Sequence, residues 1–191
     1  QMGVEHMGAD SAAADAEILA MTVECLKAAG RTEFQVSVGQ VDYYKSLLAE
    51  ADLEPEMEEH LRELISQKNY FGVEELLKGQ NLSESLSEAF AELPQMFGSV
   101  EVLEKAKKLT SNPEALFAVK RLEEIYEILK VYGCEKYIAF DFGMLSKFRY
   151  YTGIIFQAYT YGTGEPLIKG GRYNELMKHF GKPASSIGFA I

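Results

Sequence analysis

The chain has 191 residues, enough for one domain with a substantial core, or for one domain that carries a smaller insertion. Its apolar fraction of 47% is typical of a soluble globular protein and excludes the disordered and fibrous classes. The net charge of −10, with no run of basic residues, argues against nucleic acid as a direct partner, because phosphate binding depends on clustered lysine and arginine.

The cysteines and the chain ends indicate the setting of the protein. Cys25 and Cys134 lie far apart among apolar neighbours with no pairing pattern, which predicts buried free thiols and a cytoplasmic location. No stretch approaches the ~20 apolar residues that a membrane span needs, so no membrane is expected. The chain begins without an initiator methionine and stops within an apolar β-type run, Ser186 to Ile191, which predicts a fragment of a longer protein.

The first elements are a helix and a strand. Asp10 and Ser11 open the helix, which runs to about Ala29, with acidic residues in its early turns and Gly30 beyond its end. Alternation of apolar and polar residues from Phe34 then predicts a half-buried strand that ends near Gly39.

A change of composition marks the middle of the chain. Short helical segments follow one another, each with a Ser, Pro or Gly at a boundary: Asp42 to Ala51, Glu56 to Gln67, Val73 to Lys78, Ser83 to Leu93 and Ser99 to Leu109. We therefore predict a helical insertion at residues 51–112 that interrupts a core formed by residues 1–50 and 113–191.

The last part of the chain returns to a mixed pattern. Asn112 and Pro113 begin a long helix that runs to Gly133. Strands are predicted at Lys136 to Phe142, Arg149 to Tyr161, Pro166 to Lys169 and Ser186 to Ile191, with a hairpin turn at residues 162–165, a break at Gly170 and Gly171, and a short helix over Arg172 to Phe180. These elements predict an α+β fold in which an antiparallel sheet is flanked by helices.

Polar aromatic residues concentrate between Asp141 and Tyr173 and indicate a small-molecule pocket. The chain has no spacing typical of a metal site, of a catalytic nucleophile or of a nucleotide-binding glycine loop, so no metal and no cofactor are expected. A zwitterionic ligand needs acceptors for its ammonium group, which Gln1 and Glu5 supply on one face of a strand. Tyr151 and Tyr173 add hydroxyl groups on rigid rings.

Each of these residues also has a structural explanation. Glu5 is compatible with a solvent-exposed carboxylate, and Tyr151 with a cross-strand packing partner. The functional interpretation depends on the combination of residues, which composition does not establish.

Ordered motifs over both ends of the chain resemble a known family. They are Gln1-x-Gly-x-Glu5, Tyr150-Tyr151-Thr-Gly-Ile-Ile-Phe, Gly170-Gly171-Arg172-Tyr173 and Gly188-Phe-Ala. The pattern resembles the catalytic core of histidyl-tRNA synthetase, with its class II synthetase fold. It resembles still more the paralogous regulatory subunit of ATP phosphoribosyltransferase in histidine biosynthesis.

The resemblance implies roles for the motif residues. Gln1 and Glu5 would hold the amino group of a bound histidine, and Tyr151 and Tyr173 would line the pocket near its imidazole. Tyr150, Gly170, Gly171 and Arg172 would support the pocket, although Arg172 is equally compatible with a structural turn cation.

One departure separates the two relatives. The synthetase has an arginine where this chain has Ser146, in the stretch Ser146 to Arg149. Loss of a fixed cation that faces developing negative charge removes much of the transition-state stabilisation. We therefore expect a non-catalytic, regulatory protein, and the arginines that would bind ATP are expected outside residues 1–191.

The regulatory family implies partners as well. The expected ones are a short-form ATP phosphoribosyltransferase catalytic subunit, histidine as the feedback ligand, and further copies of the protein in a homo-oligomer. The alternatives are a histidyl-tRNA synthetase core, which is an ATP-dependent ligase, and a scaffold whose pocket has decayed.

Overall fold

The computed structural model describes residues 2–146 and 150–191, and within them seven strands form one sheet in the order β1-β7-β6-β5-β2-β4-β3. The strands are β1 Gly3–Met7, β2 Phe34–Gln40, β3 Phe97–Gly98, β4 Ile138–Asp141, β5 Ile154–Thr160, β6 Ile168–Arg172 and β7 Ser186–Ala190. Neighbouring strands are antiparallel except β2 and β4, which are parallel. The predicted α+β class is confirmed, and the parallel pair is a feature that was not predicted.

The predicted helices are present with small shifts at their ends. They are α1 Ala12–Ala28, α2 Val41–Ala51, α3 Pro55–Ser66, α4 Tyr70–Leu77, α5 Glu84–Glu92, α6 Glu101–Lys108 and α7 Pro113–Val131. Local caps fix several boundaries: Ser11 Oγ accepts the Ala14 N–H, and Asn112 Oδ1 accepts the N–H groups of Glu114 and Ala115.

The hydrophobic core continues from the sheet into the helical middle of the chain. Leu61, Ile65 and Phe90 are buried in the same cluster as Val36 and Phe140. The boundaries of a separate helical insertion at 51–112 therefore stay a prediction. None of the helices within the described residues is long and apolar enough to span a bilayer.

The predicted break at Gly170 and Gly171 is wrong, because both glycines lie inside β6. A Cβ atom on Gly170 would lie 2.4 Å from the Gly188 carbonyl oxygen and 2.4 Å from Cζ of Phe156. The glycines thus allow close approach of a neighbouring strand and of an aromatic ring, which is a use of glycine in strands distinct from chain reversal.

Two further boundaries differ from the prediction. The strand expected from Arg149 starts only at Ile154, after Gly153, whose φ of +138° departs from the extended backbone; Arg149 itself lies outside the described residues. The helix expected over residues 172–180 is a 3₁₀ turn at Leu176–Phe180. Its start is delayed because the Asn174 N–H donates to Thr152 Oγ1, which holds the chain outside a helix.

A buried charge network joins α1, α7 and β6. The side chains of Asp15 and Arg172 are 1% and 2% exposed, and Arg172 Nε and Nη2 donate to Asp15 Oδ1 at 2.8 and 2.6 Å. Arg121 Nε donates to Asp15 Oδ2 at 2.8 Å, while Arg172 Nη1 donates to the Ala9 carbonyl at 3.0 Å. Hydrogen bonds to both carboxylate oxygens offset the cost of burying the charges.

Gly170→Ala should destabilise the protein by about 1–3 kcal/mol, because the added methyl group has no room between Gly188 and Phe156. Gly164→Ala is the matched control, since a Cβ there meets open space. Chemical denaturation gives the free energy of unfolding of both variants. Equal values would contradict the explanation that Gly170 provides room for Gly188 and Phe156.

Asp15→Asn should cost roughly 3–5 kcal/mol of folding free energy, because it removes the buried carboxylate that pairs most closely with the Arg172 guanidinium and leaves only the more distant Asp10. Glu127→Gln removes the partner of Lys130 in an exposed pair and should change little. A small effect of Asp15→Asn in the same denaturation experiment would show that the network is not a main source of stability.

Candidate functional site

One row of facing residues crosses five strands on the sheet face opposite the charge network. Successive strand partners place Gly39 beside Ile155, Ile155 beside Gly171, Gly171 beside Gly188, and Gly188 beside Glu5. Directly paired residues share a face of the sheet. Because three members of the row are glycines, this face has a shallow floor on which other side chains can lie.

Glu5 and Tyr151 occupy this floor. A Cβ atom on Gly188 would lie 1.9 Å from Glu5 Oε2, and one on Gly171 would lie 2.6 Å from Cε1 of Tyr151. The absence of side chains at these two positions therefore creates the space that the carboxylate and the phenol ring fill. Gly171 and Gly188 are neighbours in the row, and a side chain at either position would collide with Tyr151 or Glu5.

Tyr173 and Tyr150 complete a cluster around Glu5. The Tyr173 hydroxyl donates a hydrogen bond to Glu5 Oε2. The ring centroid of Tyr150 lies 4.3 Å from that of Tyr151 and 6.1 Å from that of Tyr173. The structure thus brings together four of the residues singled out from the sequence, while Gln1 lies outside the described residues.

Two hydroxyl groups of this cluster, those of Tyr151 and Tyr173, are held in the neutral form. Burial, and then the hydrogen bond with Tyr150, raises the pKa of Tyr151 above its usual value. Burial, and then the hydrogen bond to Glu5, likewise raises the pKa of Tyr173. One carboxylate beside two neutral hydroxyls can accept from an ammonium group and can both donate to and accept from an imidazole ring.

Arg172 does not join this cluster. Its side chain lies on the opposite face of the sheet, where it binds Asp15, because consecutive strand residues point to opposite faces. Gly170 shares that face, whereas Gly171 lies under Tyr151. The geometry favours a structural role for Arg172, which is one of the two explanations given in the sequence analysis.

Cations from two helices contact the segment that leads to the tyrosines. Arg62 Nη1 of α3 donates to the Ser146 carbonyl at 3.0 Å, and Lys45 Nζ of α2 donates to the Tyr151 carbonyl at 2.9 Å. Sequence reasoning missed both contacts, because they join residues 84 and 106 positions apart. The three residues that follow Ser146, at positions 147–149, lie outside the described residues.

Two cavities flank the start of β5. One, of about 320 Å³, lies between α2, α3 and the segment before the tyrosines, and its lining includes Tyr44, Arg62, Leu145, Ser146 and Tyr151. The other, of about 750 Å³, lies on the side of the charge network. Among the residues that the structure describes, no group of His, Cys, Asp and Glu side chains is arranged to hold a metal ion.

Comparison with known sequences shows which proteins the chain resembles. The family model described as histidyl-tRNA synthetase matches residues 1–191. A protein of Acetivibrio thermocellus named ATP phosphoribosyltransferase regulatory subunit is 39% identical over the whole chain, which covers 46% of that protein. The protein of the same name from Thermoanaerobacter pseudethanolicus is 40% identical, with 50% covered, so the chain spans about half the length of these relatives.

Solved structures agree with the sequence comparison. A Bacillus halodurans structure described as an ATP phosphoribosyltransferase regulatory subunit/histidyl-tRNA synthetase superposes with a TM-score of 0.90 at 35% identity, over 98% of this chain and 49% of that one. Histidyl-tRNA synthetase from Nostoc shares the fold, with a TM-score of 0.80 at 20% identity, over 98% of this chain and 46% of that one. The chain belongs to the histidyl-tRNA synthetase family, as a class II synthetase-like core whose relatives at 39–40% identity are regulatory subunits of ATP phosphoribosyltransferase.

Proposed function

We propose that the chain is the histidine-recognising core of a non-catalytic regulatory subunit of ATP phosphoribosyltransferase. The observation that carries this proposal is the Glu5–Tyr173 contact over Gly188, which joins residues from the two ends of the sequence into one polar site. Relatives with this name match the chain over its whole length.

Histidine would bind with its ammonium group at the Glu5 carboxylate, together with Gln1 as the family resemblance implies. Its imidazole would lie near Tyr151 and Tyr173, whose neutral hydroxyls donate to one ring nitrogen and accept from the other. A site built from such polar groups discriminates strongly against amino acids that cannot satisfy them, because unpaired groups would remain in the complex.

The absence of catalysis is proposed from the electrostatics around Ser146. A synthetase must stabilise negative charge where the amino-acid carboxylate attacks ATP, and this chain has a hydroxyl side chain at that position. Arg62 lies nearby, but its guanidinium is bound to Glu59 and to the Ser146 carbonyl. A cation already neutralised by a carboxylate contributes little field at a reacting centre.

The regulatory role would operate through a catalytic partner. A Thermotoga maritima structure of similar fold, with a TM-score of 0.73 at 20% identity over 98% of this chain and 63% of that one, is described as an ATP phosphoribosyl transferase (HisG:HisZ) complex. Histidine would change the activity of a short-form catalytic subunit by binding two states of the complex with different affinities. We further propose a homo-oligomer in the cytoplasm, where the free thiols Cys25 and Cys134 would stay reduced.

Glu5→Ala should weaken histidine binding by roughly 10- to 150-fold in titration calorimetry, since a hydrogen bond to a charged group contributes about 1.5–3 kcal/mol. Glu165→Ala removes a carboxylate from an exposed loop and should leave the affinity unchanged. Circular dichroism of both variants should match the parent chain. Failure of the unsubstituted chain to bind histidine would contradict the proposal and favour the alternative of a scaffold whose pocket has decayed.

The second candidate is a histidyl-tRNA synthetase core, which the family-model match over residues 1–191 favours. The two candidates differ in one activity, the histidine-dependent exchange of pyrophosphate into ATP. Because the arginines that would bind ATP are expected outside residues 1–191, the test uses the full-length protein. We expect no exchange from it, alone or with a catalytic phosphoribosyltransferase subunit, while a histidyl-tRNA synthetase serves as the positive control. Exchange well above the histidine-free background would establish the ligase instead.

A further inference from the structure

Tyr151 and Tyr173 lie just beyond the ends of two neighbouring strands. The paired residues of β5 and β6 end at Ile155 and Gly171, so the ladder between these strands does not reach either tyrosine. Tyr151 belongs to the segment that enters β5, and Tyr173 belongs to the segment that leaves β6. The separation of the two phenol rings therefore depends on contacts between these segments as well as on the sheet.

Thr152 joins the two segments through two hydrogen bonds. Its N–H donates to the Arg172 carbonyl at 2.8 Å, and its Oγ1 accepts the Asn174 N–H at 2.8 Å. The two bonded residues lie on either side of Tyr173 in the chain, and Thr152 itself follows Tyr151. One residue thus connects the immediate neighbours of both tyrosines.

Asn174 extends this connection to the buried charge network. Its Oδ1 accepts from Arg172 Nη1 at 3.1 Å and from the Ser186 N–H at 3.3 Å, and its Nδ2 donates to Asp10 Oδ2 at 2.9 Å. A side-chain amide can make all of these bonds because it carries both an acceptor and a donor. The N–H that binds Thr152 therefore belongs to a residue whose own side chain is held in place.

The connection and the proposed pocket lie on opposite sides of the sheet. Thr152 lines the cavity of about 750 Å³ on the side of the charge network. Tyr151 lines the smaller cavity, and its ring lies on Gly171 in the floor of the site. Any effect of the Thr152 side chain on a ligand at the tyrosines is therefore indirect and acts through the position of the rings.

Each tyrosine also has contacts of its own. Lys45 Nζ donates to the Tyr151 carbonyl at 2.9 Å, and the Tyr173 N–H donates to the Ser186 carbonyl at 2.8 Å. These bonds hold the two residues separately, whereas Thr152 links one to the other. Loss of the link should therefore change the spacing of the rings and leave the pocket folded.

We propose that Thr152 is a positioning residue that sets the separation of the Tyr151 and Tyr173 hydroxyls, and thereby the affinity of the pocket for an imidazole ring. This inference rests on the proposed histidine site and deepens it. Two neutral hydroxyls at a fixed separation match the two nitrogens of imidazole, one as a donor and the other as an acceptor. A change in that separation leaves one of these groups without its partner in the complex.

The test uses the full-length protein and compares Thr152→Val, Thr152→Ser and Thr163→Val. Valine keeps the shape of threonine and removes the acceptor, whereas serine keeps the acceptor. Thr163 is the matched control, because its Oγ1 donates to the Thr160 carbonyl in an exposed loop. In Thr152→Val, hydrogen–deuterium exchange should be faster within residues 172–175, because the Asn174 N–H loses its acceptor.

Histidine calorimetry then measures the effect on the pocket. Thr152→Val should weaken histidine binding about tenfold, the size of effect expected for one hydrogen bond. Thr152→Ser should restore the affinity, and Thr163→Val should match the unsubstituted protein. In a Tyr173→Phe background the loss caused by Thr152→Val should shrink to less than about threefold, because the hydroxyl that Thr152 positions is absent.

The outcomes separate this inference from the proposed function. Unchanged exchange within residues 172–175 in Thr152→Val would overturn the link between the segments. Unchanged histidine affinity, or an equal loss of affinity in both backgrounds, would overturn its effect on the pocket. Faster exchange throughout the chain in Thr152→Val and Thr152→Ser alike would show a general structural role and would overturn the inference too. An unsubstituted protein that does not bind histidine would contradict the proposed function, and exchange would still decide whether Thr152 links the segments.

Discussion

The ion pair between Asp15 and Arg172 is the constraint on which the arrangement of the sheet depends. Burying two opposite charges is stable only when their hydrogen bonds are satisfied, and here Arg121, the Ala9 carbonyl and Asn174 Oδ1 supply further partners. Because successive residues at the end of β6 point to opposite faces, fixing Arg172 toward α1 directs Tyr173 toward Glu5. A structural interaction on one face thereby sets the geometry of the candidate site on the other.

The glycines of β6 and β7 provide the second condition for the site. A sheet face that carried ordinary side chains at Gly171 and Gly188 would have no room for the Tyr151 ring and the Glu5 carboxylate. Glycine in a strand carries an entropic cost on folding, but it allows the Glu5 carboxylate to lie close to the backbone of β7. The rings of Tyr150, Tyr151 and Tyr173 contact one another beside that group in tilted and edge-on arrangements, which limits the movement of the rings.

The sequence predicted most of the helices because their signals are local. Ser11 and Asn112 each cap a helix through neighbours two or three residues away, and the structure confirms both. The role of Gly170 could not be predicted, because it depends on Phe156 and Gly188 in adjacent strands. The site residues Glu5, Tyr151 and Tyr173 were identified through a family resemblance, whereas Arg62 and Lys45 have no sequence signal and are recognised only through long-range contacts.

The parallel pairing of β2 with β4 has a consequence for how the chain tolerates change. All of α3 to α6 lies between Val36 and its partner Ile138. The entropy lost on closing such a loop grows only with the logarithm of its length, and a doubling costs about 0.6 kcal/mol. The loop-closure term by itself would therefore change little if this stretch were longer or shorter, although pairing of such distant strands delays their assembly during folding.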